Sequence, residues 1–252
     1  MKIRSLFSSS SRNSCQIKSN SSHILIDAGV SFKRLSEQAD EDLLDLDALF
    51  ITHDHGDHVG GAGVLGRKTN APIYIHEKSY KAREKLFKNC DIRFLEVGRT
   101  YVIGDLEILA FSNKHDAQYC VSFIVTDTIS KKKFGYTTDT GMFTPLMKNY
   151  LKGCDGYLIE ANYDVQMMTD YEDYDQIHKD RVMSDLGHLS NDQWSDYIES
   201  ELDLDTIEFL LIGHMSPRTN SEEIINGIIQ EKFQKHADKF IFAPNENFFS
   251  LE

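Results

Sequence analysis

Apolar and polar positions alternate along this chain in short blocks, and most apolar blocks stop at a glycine or a polar turn. The runs Lys2–Phe7, His23–Ile26, Ala48–Ile51, Pro72–Ile75, Arg93–Val97 and Leu106–Phe111 read as strands. So do Tyr119–Thr126, Phe134–Thr138, Gly156–Ala161, Ile207–Ile212 and Phe240–Ala243, each rich in β-branched or aromatic residues. Helical patterns fall between them. Ser31 is placed to cap a helix over Phe32–Ala39, with the acidic stretch Asp40–Asp47 beyond it. Further helices are expected near Gly60–Thr69, over the basic amphipathic stretch Glu77–Asn89, and over Phe143–Leu151. The segment Asn162–Asp180 is acidic and aromatic, with Tyr163, Tyr171 and Tyr174, and reads as an irregular insert leading into a helix through Met183. Ser190-Asn191-Asp192-Gln193 is a capping-box pattern opening the helix that holds Trp194, and Thr219–Glu222 caps one reaching Gln234. The serine-rich Ser8–Ser14 has linker composition, but a β run follows so soon that a polar hairpin tip fits better. No repeat and no linker divides the chain, so the expectation is one α/β domain over residues 1–252.

One strand-to-loop junction stands apart. The apolar run Ala48–Ile51 leads into 50-FITHDHGDHVGG-61, where His53, His55, Asp57 and His58 crowd within six residues. Imidazole nitrogen and carboxylate oxygen suit a borderline divalent metal. A strand ending near Thr52, a loop, and a helix starting near Gly60 are expected. Residues two apart in extended chain face the same way, so His53 and His55 can share one metal. Asp57 and His58, past the turn, can aim at a second.

Three later residues sit at strand ends and complete such a set: His115, Asp139 and His214, the last closing the most apolar strand of the chain. Each alone is unremarkable; beside the first cluster they become ligand candidates. The expected assignment gives His53, His55 and His115 to one metal, Asp57, His58 and His214 to the other, and lets Asp139 bridge. Two metals about 3.5–4 Å apart can share a hydroxide that attacks phosphorus or a carbonyl carbon. His188, on a loop with Gly187, fits a general acid that protonates a departing alkoxide, and Glu160 can orient it. Asp57 thus counts with both the metal ligands and, alongside His188 and Glu160, the catalytic group. Zinc, manganese and iron all suit these donors.

Composition changes this picture in two ways. With 27 basic and 40 acidic residues the net charge is −13, which lacks the bulk footprint of a nucleic-acid binder. Two bound cations would reverse the sign locally, and basic residues cluster at Arg67-Lys68, Lys78–Lys88 and Lys131–Lys133. Cys15, Cys90, Cys120 and Cys154 have neither metal nor redox spacing, which points to reduced thiols in the cytoplasm. The N-terminus lacks a signal-peptide core, and no apolar run approaches the ~20 residues a membrane span needs.

The His-x-His-x-Asp-His pattern after a strand resembles the signature of the metallo-beta-lactamase-fold hydrolases. The later order His115, Asp139, Glu160, His188, His214 is similar to that of their phosphodiesterase branch, which includes ribonuclease Z. Four stretches resemble the YycJ/WalJ (VicX) subgroup more closely: Asn13-Ser14-Cys15, Ile24–Gly29, Ile159–Asn162 and Ser184–Asn191, together with His115-Asp116-Ala117. The sequence departs from that subgroup at Tyr163, where a histidine is common. The resemblance implies a four-layer αββα sandwich with the metals at one edge. It also implies a metal-dependent 5′-to-3′ exonuclease acting on DNA, in DNA repair. A small-molecule phosphodiesterase or thioesterase, and a non-catalytic metal-binding partner of a signalling complex, are the alternatives.

Overall fold

In the computed structural model, which describes residues 1–39, 43–245 and 247–252, strand β1 (Lys2–Ser9) turns directly into β2 (Arg12–Lys18). The chain continues through β3 (His23–Ile26), β4 (Ala48–Phe50), β5 (Ile73–His76), β6 (Ile92–Leu95), β7 (Thr100–Ile103), β8 (Leu106–Ser112) and β9 (Val121–Asp127). It ends with β10 (Lys133–Thr137), β11 (Gly156–Glu160), β12 (Phe209–Gly213), β13 (Phe240–Phe242) and β14 (Phe249–Ser250). The described residues form two seven-stranded sheets, ordered β14-β1-β2-β3-β4-β5-β6 and β13-β12-β11-β10-β9-β8-β7. Each is half antiparallel and half parallel: β3 to β6 run parallel in the first, β10 to β13 in the second.

The layering follows from period-two alternation along strands that are buried on both faces. Ile24, Ile26, Ala48 and Phe50 of the first sheet pack against Phe123, Tyr136, Leu158 and Leu211 of the second. Their neighbours face outward: Leu25, Leu49 and Ile51 meet Leu35 and Leu65 on one side, while Tyr157, Ile159, Leu210 and Ile212 meet Trp194, Ile198 and Ile225 on the other. Those partners belong to helices α1 (Phe32–Gln38), α3 (Ala62–Thr69), α8 (Asn191–Glu201) and α9 (Glu222–Lys232); the other helices are α2 (Gly56–Val59), α4 (Glu77–Arg83), α5 (Pro145–Leu151), α6 (Val165–Asp170) and α7 (Gln176–Val182). Helix, sheet, sheet and helix therefore stack as an αββα sandwich. Asp105, in the turn between β7 and β8, ties the two sheets together. It accepts from Ser22 Oγ at 2.8 Å and from Ser21 N at 3.2 Å, and also from Ser19 Oγ, all in the β2–β3 turn.

Several boundaries differ from the sequence expectation. The helix expected near Gly60 is α3, from Ala62, and a separate single turn, α2, precedes it from Gly56, because His55 is extended and its carbonyl accepts from His58 N and Val59 N. Glu77–Asn89 is one α-helix followed by a 3₁₀ turn over Glu84–Phe87. The insert contains two short helices, α6 and α7, capped by Asp164 and Asp175. Strands β7 and β14 had no sequence signal strong enough to be expected. Of the acidic stretch Asp40–Asp47, residues 40–42 lie outside the described residues, and Leu43–Asp45 form a 3₁₀ turn. The expected hairpin tip at Ser8–Ser14 and the capping box at Ser190 and Gln193 are both present.

Candidate metal centre

The functional side chains sit at the carboxyl ends of strands from both sheets, where ligands bind in sheets of this kind. Asp27 follows β3, His53 follows β4, His115 follows β8, Asp139 follows β10, Glu160 ends β11 and His214 follows β12. Asp27, Asp139 and His214 take left-handed backbone angles, with φ of 62°, 58° and 51°. For residues with a Cβ this costs about 1–3 kcal/mol each, and such strain collects where a side chain must be aimed.

Helix α2 is held against the loop after β3 by backbone contact that only glycine allows. Gly61 N donates to Ala28 O at 2.7 Å and Ala28 N to His58 O at 2.8 Å. A Cβ on Gly61 would lie 1.8 Å from Val30 O, and one on Gly29 would lie 1.6 Å from Asp57 O. This docking turns Asp57 and His58 toward the histidines on the preceding extended segment.

All seven expected ligands come together. The donor atoms of His53, His55 and His115 lie within 4.8 Å of one another, and so do those of Asp57, His58 and His214. Asp139 stands between the groups: Oδ2 is 3.2 Å from His58 Nε2, and Oδ1 is 3.2 Å from His214 Nε2 and 3.7 Å from His115 Nε2. The centre fits cations for two reasons. First, His53 Nε2, His214 Nε2 and Asp139 Oδ2 are buried and make no well-formed hydrogen bond, a costly state without a positive partner. Second, the centre asks for positive charge. Burial would raise the carboxyls of Asp57 and Asp139, yet the neighbouring histidines hold both well below the usual range. Burial lowers His58 and His214, but Asp139 and its fellow carboxylates outweigh it and hold both imidazoles above their ordinary value. In His53 and His115 burial prevails and the pKa falls, which keeps neutral donor nitrogens. Metal binding exchanges such recruited protons for cations.

A second layer fixes these donors. Asp27 Oδ2 is 2.7 Å from His58 Nδ1 and accepts from Thr52 Oγ1 at 2.8 Å, while Thr52 Oγ1 is 3.0 Å from His53 Nδ1. Asn13 Nδ2, from the serine-rich hairpin, donates to Asp57 Oδ2 at 3.1 Å. His115 Nδ1 donates to Gly187 O at 3.1 Å, and Asn162 Nδ2 to His214 O at 2.8 Å. Sequence reasoning had singled out none of Asp27, Thr52, Asn13 or Asn162 as a site residue. For Asp27 the signal was there: a carboxylate directly after a short strand, as at Asp139.

His188 and Glu160 also meet. His188 Nδ1 lies 3.0 Å from Glu160 Oε2, and Glu160 Oε1 accepts from Thr140 N at 2.7 Å and Leu189 N at 3.2 Å. With Nδ1 engaged, Nε2 is the nitrogen left to serve the cavity that His188 lines with His55, Asp57, His115, Asp139 and His214. Tyr163 is buried against Met168 and Val182, and burial pushes its hydroxyl up to about 12.

The family model described as the beta-lactamase superfamily domain matches residues 22–216. Exodeoxyribonuclease WalJ of Streptococcus pneumoniae is 36% identical over 229 residues, covering 87% of this chain and 83% of that protein. Exodeoxyribonuclease YycJ of Bacillus anthracis is 31% identical over 237 residues, covering 90% and 88%. The crystal structure of the short form of human tRNase Z aligns over 100% of both chains with a TM-score of 0.72 at 13% identity, a likeness of fold alone. The matched span encloses every donor described above, and the two sequence relatives align over most of their length, so the chain belongs to the beta-lactamase superfamily, in the family of the WalJ and YycJ exodeoxyribonucleases.

Proposed function

We propose that this chain is a two-metal phosphodiesterase that removes nucleotides from DNA ends in the 5′-to-3′ direction. Residues 1–252 act as one catalytic domain in this reading. His53, His55 and His115 hold one divalent ion, Asp57, His58 and His214 the other, and Asp139 contributes to both. Zinc, manganese or iron would suit these donors. When bound, such ions lower the pKa of water toward neutrality and offset charge developing on a phosphate.

The observation that carries the reading is the His188–Glu160 pair. Glu160 fixes the ring through Nδ1, so a protonated His188 can deliver its Nε2 proton to the departing deoxyribose oxygen. An alkoxide is a poor leaving group, and a placed acid is what its departure needs. Asp57, held ionised beside His58, stays available as a donor through the cycle. The exodeoxyribonucleases WalJ and YycJ support DNA as the substrate. All four cysteines are free, which fits a reducing cytoplasm. No helix among the described residues is long and apolar enough to cross a membrane. End-directed strand removal suits a role in DNA repair.

The test is a substrate panel run with zinc, manganese and iron in turn: linear DNA labelled at either end, structured RNA, and a chromogenic phosphodiester. Stepwise nucleotide release from the 5′ end of DNA is expected. Cleavage of the chromogenic ester alone would assign a small-molecule hydrolase instead.

A further inference from the structure

The cavity over the metal centre, about 410 Å³, has a second wall that the chemistry above does not use. Tyr174, His178 and Arg181, from the insert and α7, form it with Arg218. The size is within the range of pockets that take a small ligand such as one nucleotide. Tyr174 is half-buried in an aromatic group: its ring centroid is 4.6 Å from that of Tyr171 and 4.2 Å from that of His178. The Arg218 guanidinium lies 5.9 Å from the Tyr174 ring centre. Arg218 follows His214 by four residues, and its turn is fixed by Ser216 Oγ, which accepts from Arg218 N at 3.4 Å and Thr219 N at 3.2 Å. The guanidinium is therefore tied to the same strand end as a metal donor.

The two arginines of this wall are not equivalent. Arg181 is paired with Asp116, a carboxylate that also sits 3.4 Å from His115 Nε2. Arg218 forms no ion pair with a carboxylate among the described residues, and its guanidinium lies beside Tyr174 instead. An aromatic ring beside a guanidinium that has no carboxylate ion pair is the pairing that holds single-stranded nucleic acid: the ring stacks a base and the guanidinium takes a phosphate. In a chain of net charge −13 such a local cation is what lets a polyanion settle next to the reacting centre.

We propose that Tyr174 and Arg218 form the subsite for the nucleotide adjoining the scissile phosphate of single-stranded DNA, with the base on Tyr174 and its phosphate on Arg218. The inference rests on the nuclease reading given above and adds where that substrate is gripped.

The test uses the full chain and a short, phosphorothioate-linked DNA strand that resists cleavage, carrying one 2-aminopurine at its 5′ end. Wild-type protein should bind the strand and quench the fluorescence of the stacked base. Tyr174→Leu should abolish the quenching and weaken binding about tenfold, whereas Tyr174→Phe should keep both. Arg218→Gln should weaken binding by a similar factor and flatten its salt dependence by about one phosphate contact, with partial recovery in Arg218→Lys. Unchanged quenching in Tyr174→Leu, in a protein whose wild type degrades DNA, overturns the subsite and leaves the nuclease reading standing. A wild type that neither binds nor degrades DNA overturns both.

Discussion

Asp27 accepts a hydrogen bond from His58 Nδ1 at 2.7 Å, and neither side chain reaches solvent. The carboxylate fixes which nitrogen of His58 faces the metal centre, and it does so from a strained backbone position at φ 62°. Outer partners of this kind are worth roughly 10- to 100-fold in metal affinity. Asp27→Asn should therefore lose metal first from the group of Asp57, His58 and His214. Titration against a competing chelator measures it, and wild-type affinity in the variant would remove Asp27 from the account.

Glu160 plays the corresponding part for His188. Glu160→Gln keeps the size of the side chain but replaces one acceptor oxygen with an NH₂ group, so the ring loses its orienting charge. Turnover on DNA should fall about 10- to 100-fold. Bound metal, read by elemental analysis, should fall far less than turnover: Glu160 Oε2 is 3.5 Å from Nδ1 of the assigned ligand His214, whose nearer partner there is Asn162 Nδ2 at 3.1 Å. Equal turnover in variant and wild type would mean that the pair is structural.

Gly61→Ala places a Cβ 1.8 Å from Val30 O, a backbone atom with no room to yield. The expected cost is about 3 kcal/mol, or roughly 6–12 °C in Tm for a chain of this size. Because the displaced helix carries Asp57 and His58, metal affinity should fall as well. Gly227, on α9 with open space around its Cα, is the control: Gly227→Ala should leave Tm unchanged or slightly raised.

Asp105 predicts a pH dependence of stability. Burial would raise its carboxyl, but hydrogen bonds from Ser19, Ser22 and Ser21 prevail and hold it at about 2. A folded pKa below the unfolded one stabilises the fold at pH values above the unfolded pKa. That stability is lost as pH falls through the folded value. Asp105→Ala should thus cost about 2 kcal/mol near neutrality. In urea melts the gap to wild type should hold down to about pH 5 and narrow below about pH 4. A gap that does not change with pH would show that Asp105 acts without its charge.

Much of the site was legible in the chain because its residues obey local rules. His53 and His55 share a face through the two-residue period of extended chain. His115, Asp139 and His214 each follow a strand, and β8, β10 and β12 run in the same direction and deliver their ends to one rim. What was not legible depended on contacts across the fold. Asn13 reaches Asp57 across 44 positions, and only the β1–β2 hairpin brings it there. Ser19, Ser21 and Ser22 carry no signal of a role in the chain itself; Asp105, from the other sheet, gives them a partner. The extra turn α2 is likewise tertiary: it is docked on the loop after β3 through Ala28 and His58.

The central claim is that His188 supplies the proton to a departing nucleotide in a metal-dependent attack on DNA. One measurement addresses it most directly: the rate of nucleotide release from 5′-labelled linear DNA by wild type and by His188→Ala, with bound metal determined on the same samples. The account predicts full metal content in the variant and a loss of turnover of about 10²- to 10⁴-fold, the usual worth of a placed general acid. Release at the wild-type rate with metal in place would contradict it.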